Sequence, residues 1–284
     1  MGQLLDAVAD RAATIEAAVA ALRAGELVVL PTDTLYGVAA DAFNPAATAK
    51  LFAAKRRSRD LPLPVLIRSP KQLLGLLEIV PREAERLMAA YWPGPLTIVV
   101  PSDPNLSWDL GEAQGTVAVR MPMDDVTLDI IRGVGPLAVT SANLSGSRPS
   151  PTAAGARTAL GDAVAVYVDA GRRSGRGAST IVDLTTATPG ILREGPLPAD
   201  EVIEVALGTR DMMDVTVIAP PADSAAAVTR ADLLALPGIG SAKADALLAA
   251  FPGGKGLRGA SAERLAKVAG ISAQLADRLA RDLG

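Results

Sequence analysis

Between residues 28 and 67 an apolar run, VVLP, opens into the polar sequence TDTLYG, and about twenty residues later comes KRRSRDLPLPVLI. The Val- and Leu-rich run predicts a buried strand that ends at Pro31. Thr32, Asp33, Thr34 and Tyr36 then emerge from it as a loop. Lys55, Arg56, Arg57 and Arg59 crowd against a proline-bounded apolar segment, so they are expected to form one wall of an anion site. Further polar groups fall at the ends of other strand-like runs: Arg120 in VAVRMP, Ser141 and Asn143 in VTSANLSG, Ser179 and Thr180 in STIVDL, and Arg193 in ILREG. Open α/β sheets gather ligands at strand ends. Each residue alone reads equally as a cap or turn residue, or as a solvated helix-end cation. Together they are hydroxyls, an amide and cations, a set suited to oxyanions. Arginine's planar fork bonds phosphate or carboxylate oxygens in pairs.

The chain has no Cys and no His. That excludes thiolate nucleophiles, disulfides, Cys/His zinc sites, His-based triads and imidazole bases, and no protein-held metal site is expected. Neither G-x-x-x-x-G-K-[ST] nor a strand-linked G-x-G-x-x-G occurs, so side chains rather than a glycine loop would have to grip a nucleotide.

The elements that must position these groups alternate along the chain. Residues 8–24, 46–56, 81–91, 124–132 and 152–160 read as helices. PLTIVVP, TVAVRMP, GPLAVTSAN, AVAVYVDAG and STIVDL read as strands. This predicts an α/β layer architecture, and a pairing of STIVDL with GILRE makes the sheet mixed. With 284 residues and 49% apolar content the chain holds one large domain and a small one. No run of 18 apolar residues and no signal peptide appears, so a cytoplasmic protein is expected.

The expected organisation is a catalytic domain over 1–207, a linker over 208–229 and a helical domain over 230–284. The linker is rich in Pro, Ala and Asp. Beyond it, 233–251 and 265–283 align without gaps at a spacing of 32. This tail carries 8 Lys and Arg against 5 Asp and Glu, net +3, whereas the rest carries 20 against 26, net −6. Each repeat is an apolar helix end, a tight glycine turn and a second amphipathic helix, and the two hairpins should pack on each other. PGIG and AGIS resemble helix-hairpin-helix motifs, in which backbone N–H groups hold a phosphate without reading sequence. Gly238, Gly240, Lys243 and Gly270 are the expected nucleic-acid contacts, with Ser272 replacing the second glycine of the second hairpin. A docking or dimerisation module is the alternative.

PTDTLYGVAADAF, K-x-R-x-x-x-x-PL, YWPGPLT, VAVRMP, TSANLSG and STIVD followed by ILREG resemble, in this order, the motifs of the YrdC-like family of threonylcarbamoyl-AMP synthases. The resemblance covers residues 8–206. It implies a YrdC-like twisted mixed sheet with flanking helices and an open, positively lined cavity. It implies an enzyme, a nucleotidyltransferase, that uses ATP with Mg²⁺, L-threonine and bicarbonate. The products would be L-threonylcarbamoyl-AMP and pyrophosphate, the adenylate being handed to partner proteins that modify adenosine 37 of tRNA. By motif matching, Thr32, Arg120 and Ser179 would contact threonine or the carbamoyl group. Lys55, Arg57, Arg59, Ser141, Asn143 and Arg193 would contact ATP, with Lys55 and Arg57 stabilising the phosphates. Ser58 and Leu61 depart from the family's usual Pro and Lys, and Arg59 or Arg56 would replace the missing cation. Two other readings remain open at this point: a nucleotide- or RNA-binding protein that makes no adenylate, and a related carbamoyl-adenylate enzyme. Whether the linker closes over the cavity is not legible.

Overall fold

A computed structural model describes residues 2–173, 177–210, 215–216, 230–234, 236–251, 257 and 265–282. Contacts divide the chain into two units, Met1–Pro220 and Pro221–Gly284.

The first unit is built on one ten-stranded sheet, and its strands are, in chain order, β1 (Gln3–Asp6), β2 (Val28–Leu30), β3 (Gly37–Asp41), β4 (Val65–Leu66), β5 (Leu96–Pro101), β6 (Thr116–Arg120), β7 (Leu137–Ser141), β8 (Val166–Asp169), β9 (Thr180–Asp183) and β10 (Gly190–Arg193). They lie in the order β1-β8-β2-β3-β7-β4-β6-β5-β9-β10. The sheet is mixed, as expected. β1 and β2 flank β8 in parallel, whereas β3 pairs antiparallel with both β2 and β7. β5 runs antiparallel to β6 and parallel to β9, and STIVD pairs antiparallel with GILR at the edge.

Both sheet faces are covered, which is why the central strands read as unbroken apolar runs rather than alternating ones. Val29, Val38, Ala40 and Ala138 face one core. Their neighbours Val28, Leu30, Ala39, Leu137 and Val139 face the other, the period-2 division a strand imposes. On the second face lie α1 (Arg11–Arg23) and α4 (Asp125–Val134), capped by the Asp10 and Asp124 side chains. On the first lie α2 (Pro45–Lys55), α3 (Arg82–Tyr91), α5 (Ala153–Leu160) and α6 (Ala199–Leu207), all contributing to one core. Asn44 caps α2, with Pro45 in the first turn where its missing N–H costs nothing.

The five helices expected from periodicity form within two or three residues of their predicted limits. β1, β3, β4 and α6 are additions. The chain after α6 continues to bond to this unit: Thr209 N donates to Glu204 O at 2.9 Å, and Thr216 N and Oγ1 donate to Glu201 at 2.9 and 2.7 Å. Most of the expected linker lies outside the described residues.

In the second unit, α7 (Arg230–Leu234), α8 (Ser241–Ala250) and α9 (Ala273–Asp282) are described. Leu233, Ile239 and Leu247 of the first repeat share one core with Leu265, Ile271 and Leu279 of the second. Neither hairpin buries its apolar face alone, and packing on each other solves that for both.

Candidate active site

β2 and β3 form a hairpin whose connecting loop, residues 31–36, is the polar sequence singled out above. Thr32 Oγ1 donates to Leu35 O at 2.6 Å and accepts from Leu35 N at 3.1 Å. That closes the loop on itself and aims the threonines inward. Thr34 Oγ1 lies 3.0 Å from Thr32 Oγ1 and accepts from Arg120 Nη1 at 3.0 Å. Asp33 Oδ1 accepts from Arg120 Nη2 at 2.5 Å and from Met123 N at 2.9 Å. Arg120 Nε donates to Gly94 O at 2.9 Å. This arginine, at the end of β6, is buried and fixed on three sides.

From β9, Ser179 Oγ lies 2.7 Å from Thr97 Oγ1 of β5. Arg193 on β10 reaches across: Nε and Nη2 donate to Ser179 O at 3.0 and 2.8 Å, and Nη2 also to Ser179 Oγ at 3.0 Å. Burial, then the charge of Arg120, lowers the Arg193 pKa. An anion between them would relieve that repulsion.

Thr32, Thr34, Arg57, Arg120, Ser141, Asn143, Ser179 and Arg193 all line one cavity of about 580 Å³, with Val99, Val117, Ile181 and Leu192 forming its apolar side. Residues from five strand ends, with Arg57 from just past the end of α2, thus meet, as the strand-end placement predicts.

The expectation of a four-cation wall is corrected. Only Arg57 of the four lines the cavity. α2 ends at Arg56, which takes a left-handed conformation (φ 52°) and points its side chain to solvent. The reversal there turns successive side chains in different directions. Lys55 is 1% exposed and lies behind the wall, its ammonium donating to Asn143 O at 2.6 Å and to Ser141 O. Burial, then the Arg57 charge, pushes its pKa down to about 8. Arg59 turns outward, pairing with Asp109 and lying 5.0 Å over the Phe52 ring. Arg57 donates to Leu61 O at 2.8 Å and Pro62 O at 3.2 Å, and burial lowers its pKa. Asn143 Nδ2 donates to Leu144 O and Ser147 O at 2.8 and 2.7 Å, so both amide hydrogens are committed.

Other residues support the site; Asp33 and Tyr36 belong to the polar loop read from the sequence, whereas Thr97, Asp124 and Arg173 carry no such signal. Asp33 and Thr97 hold Arg120 and Ser179. Arg173, 1% exposed, pairs with Asp124 at 3.1 Å, donates to Ala170 O at 2.7 Å and lies 5.4 Å over the Tyr36 ring. Burial raises the Asp124 pKa to about 6 against the pull of Arg173. Tyr36 OH in turn donates to Gly171 O at 2.7 Å. One Arg among the three of RRSGR carries no sequence signal of burial.

In the tail, Gly238 and Gly270 occupy equivalent left-handed positions, both at φ 82°, where a side chain is disfavoured. Gly240 precedes α8 without a side-chain cap. Ser272, at the equivalent point, caps α9 by accepting from Leu275 N at 3.3 Å, so it takes up one of the N–H groups that the first hairpin leaves open. Lys243 Nζ donates to Gly238 O at 3.0 Å and Arg278 Nη2 to Pro237 O at 2.5 Å, so two cations bracket the first turn.

Comparison with known proteins agrees with this geometry. The Sua5/yciO/yrdC family model, described as telomere recombination, matches residues 20–195, and a SAM-like helix-hairpin-helix tandem model matches 230–284. A Mycobacterium tuberculosis protein provisionally named a threonylcarbamoyl-AMP synthase is 51% identical over 196 residues, 69% of this chain and 90% of that protein. The threonylcarbamoyl-AMP synthase of Pyrococcus abyssi is 40% identical over 187 residues, 65% of this chain and 54% of that protein. The crystal structure of P. abyssi Sua5 complexed with L-threonine superposes with a TM-score of 0.64 at 38% identity, over 69% of this chain and 57% of that one. The chain therefore belongs to the Sua5/yciO/yrdC family and carries, after that domain, a tandem helix-hairpin-helix domain.

Proposed function

We propose that this chain is an L-threonylcarbamoyladenylate synthase. The observation that carries the reading is the convergence of Thr32, Arg120, Ser179 and Arg193 on one cavity, in a chain 51% identical over 196 residues to a protein provisionally named for that activity. Threonine's amine attacks bicarbonate with loss of water, or CO₂ with loss of a proton, the carbamate oxygen attacks the α-phosphorus of ATP, and the α–β anhydride bond breaks to release pyrophosphate. Such a displacement depends on positioning and charge neutralisation, so it needs no side-chain nucleophile and no histidine. Mg²⁺ enters with ATP as part of the substrate. Arg120 and Ser179, each held by neighbours, place the threonine carboxylate and hydroxyl. Arg57 and Arg193 face the phosphates, and Ser141 and Asn143 border them. Lys55 acts from behind, fixing the carbonyls of the turn that presents Ser141 and Asn143, and Arg59 holds the basic loop against Asp109.

The adenylate serves threonylcarbamoyl modification of tRNA adenosine 37 and passes to partner proteins in the cytoplasm. No helix among the described residues is long and apolar enough to cross a membrane. The tail binds structured RNA or duplex DNA through the N–H groups after Gly238 and Gly240, with Lys243 beside them; Gly270 gives the second hairpin the same turn.

The test is pyrophosphate release by the full-length protein from Mg·ATP and bicarbonate, with and without L-threonine. Release that depends on threonine supports the synthase. ATP binding without release moves the reading to a nucleotide-binding protein, and release driven by a different amine or carbamate moves it to a related carbamoyl-adenylate enzyme.

A further inference from the structure

Glu201, in the first turn of α6, is a buried carboxylate, 3% exposed. Its oxygens accept from Tyr91 OH at 2.9 Å, Thr216 N at 2.9 Å and Thr216 Oγ1 at 2.7 Å, and Arg210 Nη2 lies at 3.4 Å. Burial alone would raise its pKa, but the bonds from Thr216 and Tyr91, with Arg210, hold it below the ordinary value. Two of these partners come from the chain after α6, and the third closes α3.

Tyr91 leads directly into the turn that touches the site. Gly94 N donates to Met121 O and Gly94 O accepts from Arg120 Nε, both at 2.9 Å. Pro95 O accepts from Thr180 N at 2.9 Å, next to Ser179. The turn has no slack: a Cβ on Gly94 would stand 2.4 Å from Tyr91 O. A displacement of Tyr91 is therefore passed to the backbone that holds Arg120 and Ser179. Hydrogen bonds to an ionised carboxylate are roughly twice as strong as neutral ones, so Glu201 fixes Tyr91 better than a neutral acceptor would.

We infer that Glu201 is a positioning residue for the threonine-binding wall, and that Thr216 and Arg210, beyond the last helix of the sheet domain, complete it. Arg210 and Thr216 are then working parts of the synthase rather than of a passive tether. This rests on the reading that Arg120 and Ser179 hold threonine.

The experiment uses the full-length chain with Glu201→Gln, Thr216→Val and Tyr91→Phe. It measures threonine affinity by calorimetry, the KM for Mg·ATP, and the melting temperature. The expected result is threonine binding weakened about tenfold by E201Q and about threefold by T216V and Y91F, with the KM for ATP within about twofold of wild type, because a charge-assisted acceptor is lost in the first and single donors in the others. Where E201Q does not fold, Y91F, which removes one hydroxyl, carries the test. Variants that melt lower yet bind threonine within twofold of wild type overturn the inference and make the cluster purely structural. A wild-type protein that binds no threonine refutes the functional reading and takes the inference with it.

Discussion

Lys55→Met separates the role of a buried ammonium from that of a phosphate-gripping one. In the wild-type fold, burial and then Arg57 push the Lys55 pKa from 10.5 down to about 8. Between those values the unfolded chain holds this proton and the folded chain does not, so stability rises with pH through the window. From pH 8, where the folded-state amine is half protonated, to pH 10 that is about 2 kcal/mol. For a unit of this size it corresponds to roughly 4–8 °C in melting temperature. The turn stays intact as the proton leaves, because a neutral amine still has two N–H groups for the Ser141 and Asn143 carbonyls. Methionine fills the space but donates nothing, so each abandoned carbonyl costs about 1–3 kcal/mol. Below pH 8 this loss is offset by removing a buried charge; near pH 10 it is not. Wild type and K55M should therefore melt within a few degrees of each other at pH 7 and diverge, wild type higher, by pH 10. The tyrosines do not obscure this, since burial pushes Tyr36 and Tyr167 up to about 12 and raises Tyr91 as well. Calorimetric melts at pH 7, 8.5 and 10 decide it. Parallel pH profiles for the two proteins refute the placement of Lys55 behind the wall.

Three further outcomes follow from the geometry. Asp33→Asn keeps an acceptor for Arg120 and Met123 N but leaves a buried guanidinium without its counter-charge; a loss of about 3 kcal/mol in urea denaturation is expected, and a loss below about 1 kcal/mol would show that Arg120 is not held by that charge. Gly94→Ala forces the turn away from Tyr91 O, costing about 1–3 kcal/mol and weakening threonine binding, and an unchanged threonine affinity contradicts the proposed coupling. For the tail, anisotropy with structured RNA or duplex DNA should show affinity that falls with added salt, the slope dropping by about one on Lys243→Ala; salt-independent binding or none at all assigns the tail to docking instead.

Much of this was legible in the sequence, for identifiable reasons. The run VVLP and the polar residues after it stand out because apolar residues end abruptly at a proline. Arg120, Ser141 and Arg193 stand out because each ends a strand, and Ser179 because it opens the apolar run of β9. Gly37–Asp41 was missed because GVAAD carries one β-branched residue and is mostly small, and its strand character comes from pairing with both β2 and β7. The cation cluster misled for a local reason: adjacency in sequence is not adjacency in space once a helix ends in a left-handed residue. Pairings such as Asp33 with Arg120, 87 residues apart, Glu201 with Tyr91, 110 residues apart, and Arg173 with Asp124 leave no periodic trace. They depend on which strands become neighbours, and only topology supplies that.

The way the cations are held explains how a site without histidine stays both rigid and positive. Arg193 is fixed by the carbonyl and hydroxyl of Ser179, Arg57 by the Leu61 and Pro62 carbonyls, and Lys55 by those of Ser141 and Asn143. Carbonyl dipoles orient a cation without cancelling its charge. Carboxylate pairing among the described cations of the cavity wall and its basic loop, by contrast, falls on Arg120 with Asp33 and on Arg59, which faces away toward Asp109. The cavity thus presents three guanidiniums against one buried carboxylate, with a fourth cation immediately behind. Burial lowers the pKa values of Arg193 and Lys55, and the neighbouring charges of Arg120 and Arg57 add a smaller repulsion to the site. A polyphosphate entering it gains the attraction and removes the repulsion together, with little side-chain order left to impose. That is electrostatic preorganisation for a reaction whose barrier is mostly charge and alignment. It also places the selective pressure on backbone turns: Gly94, the Ser141–Asn143 turn and the Leu61–Pro62 carbonyls do the orienting, so substitutions there should damage the site as surely as loss of the arginines themselves.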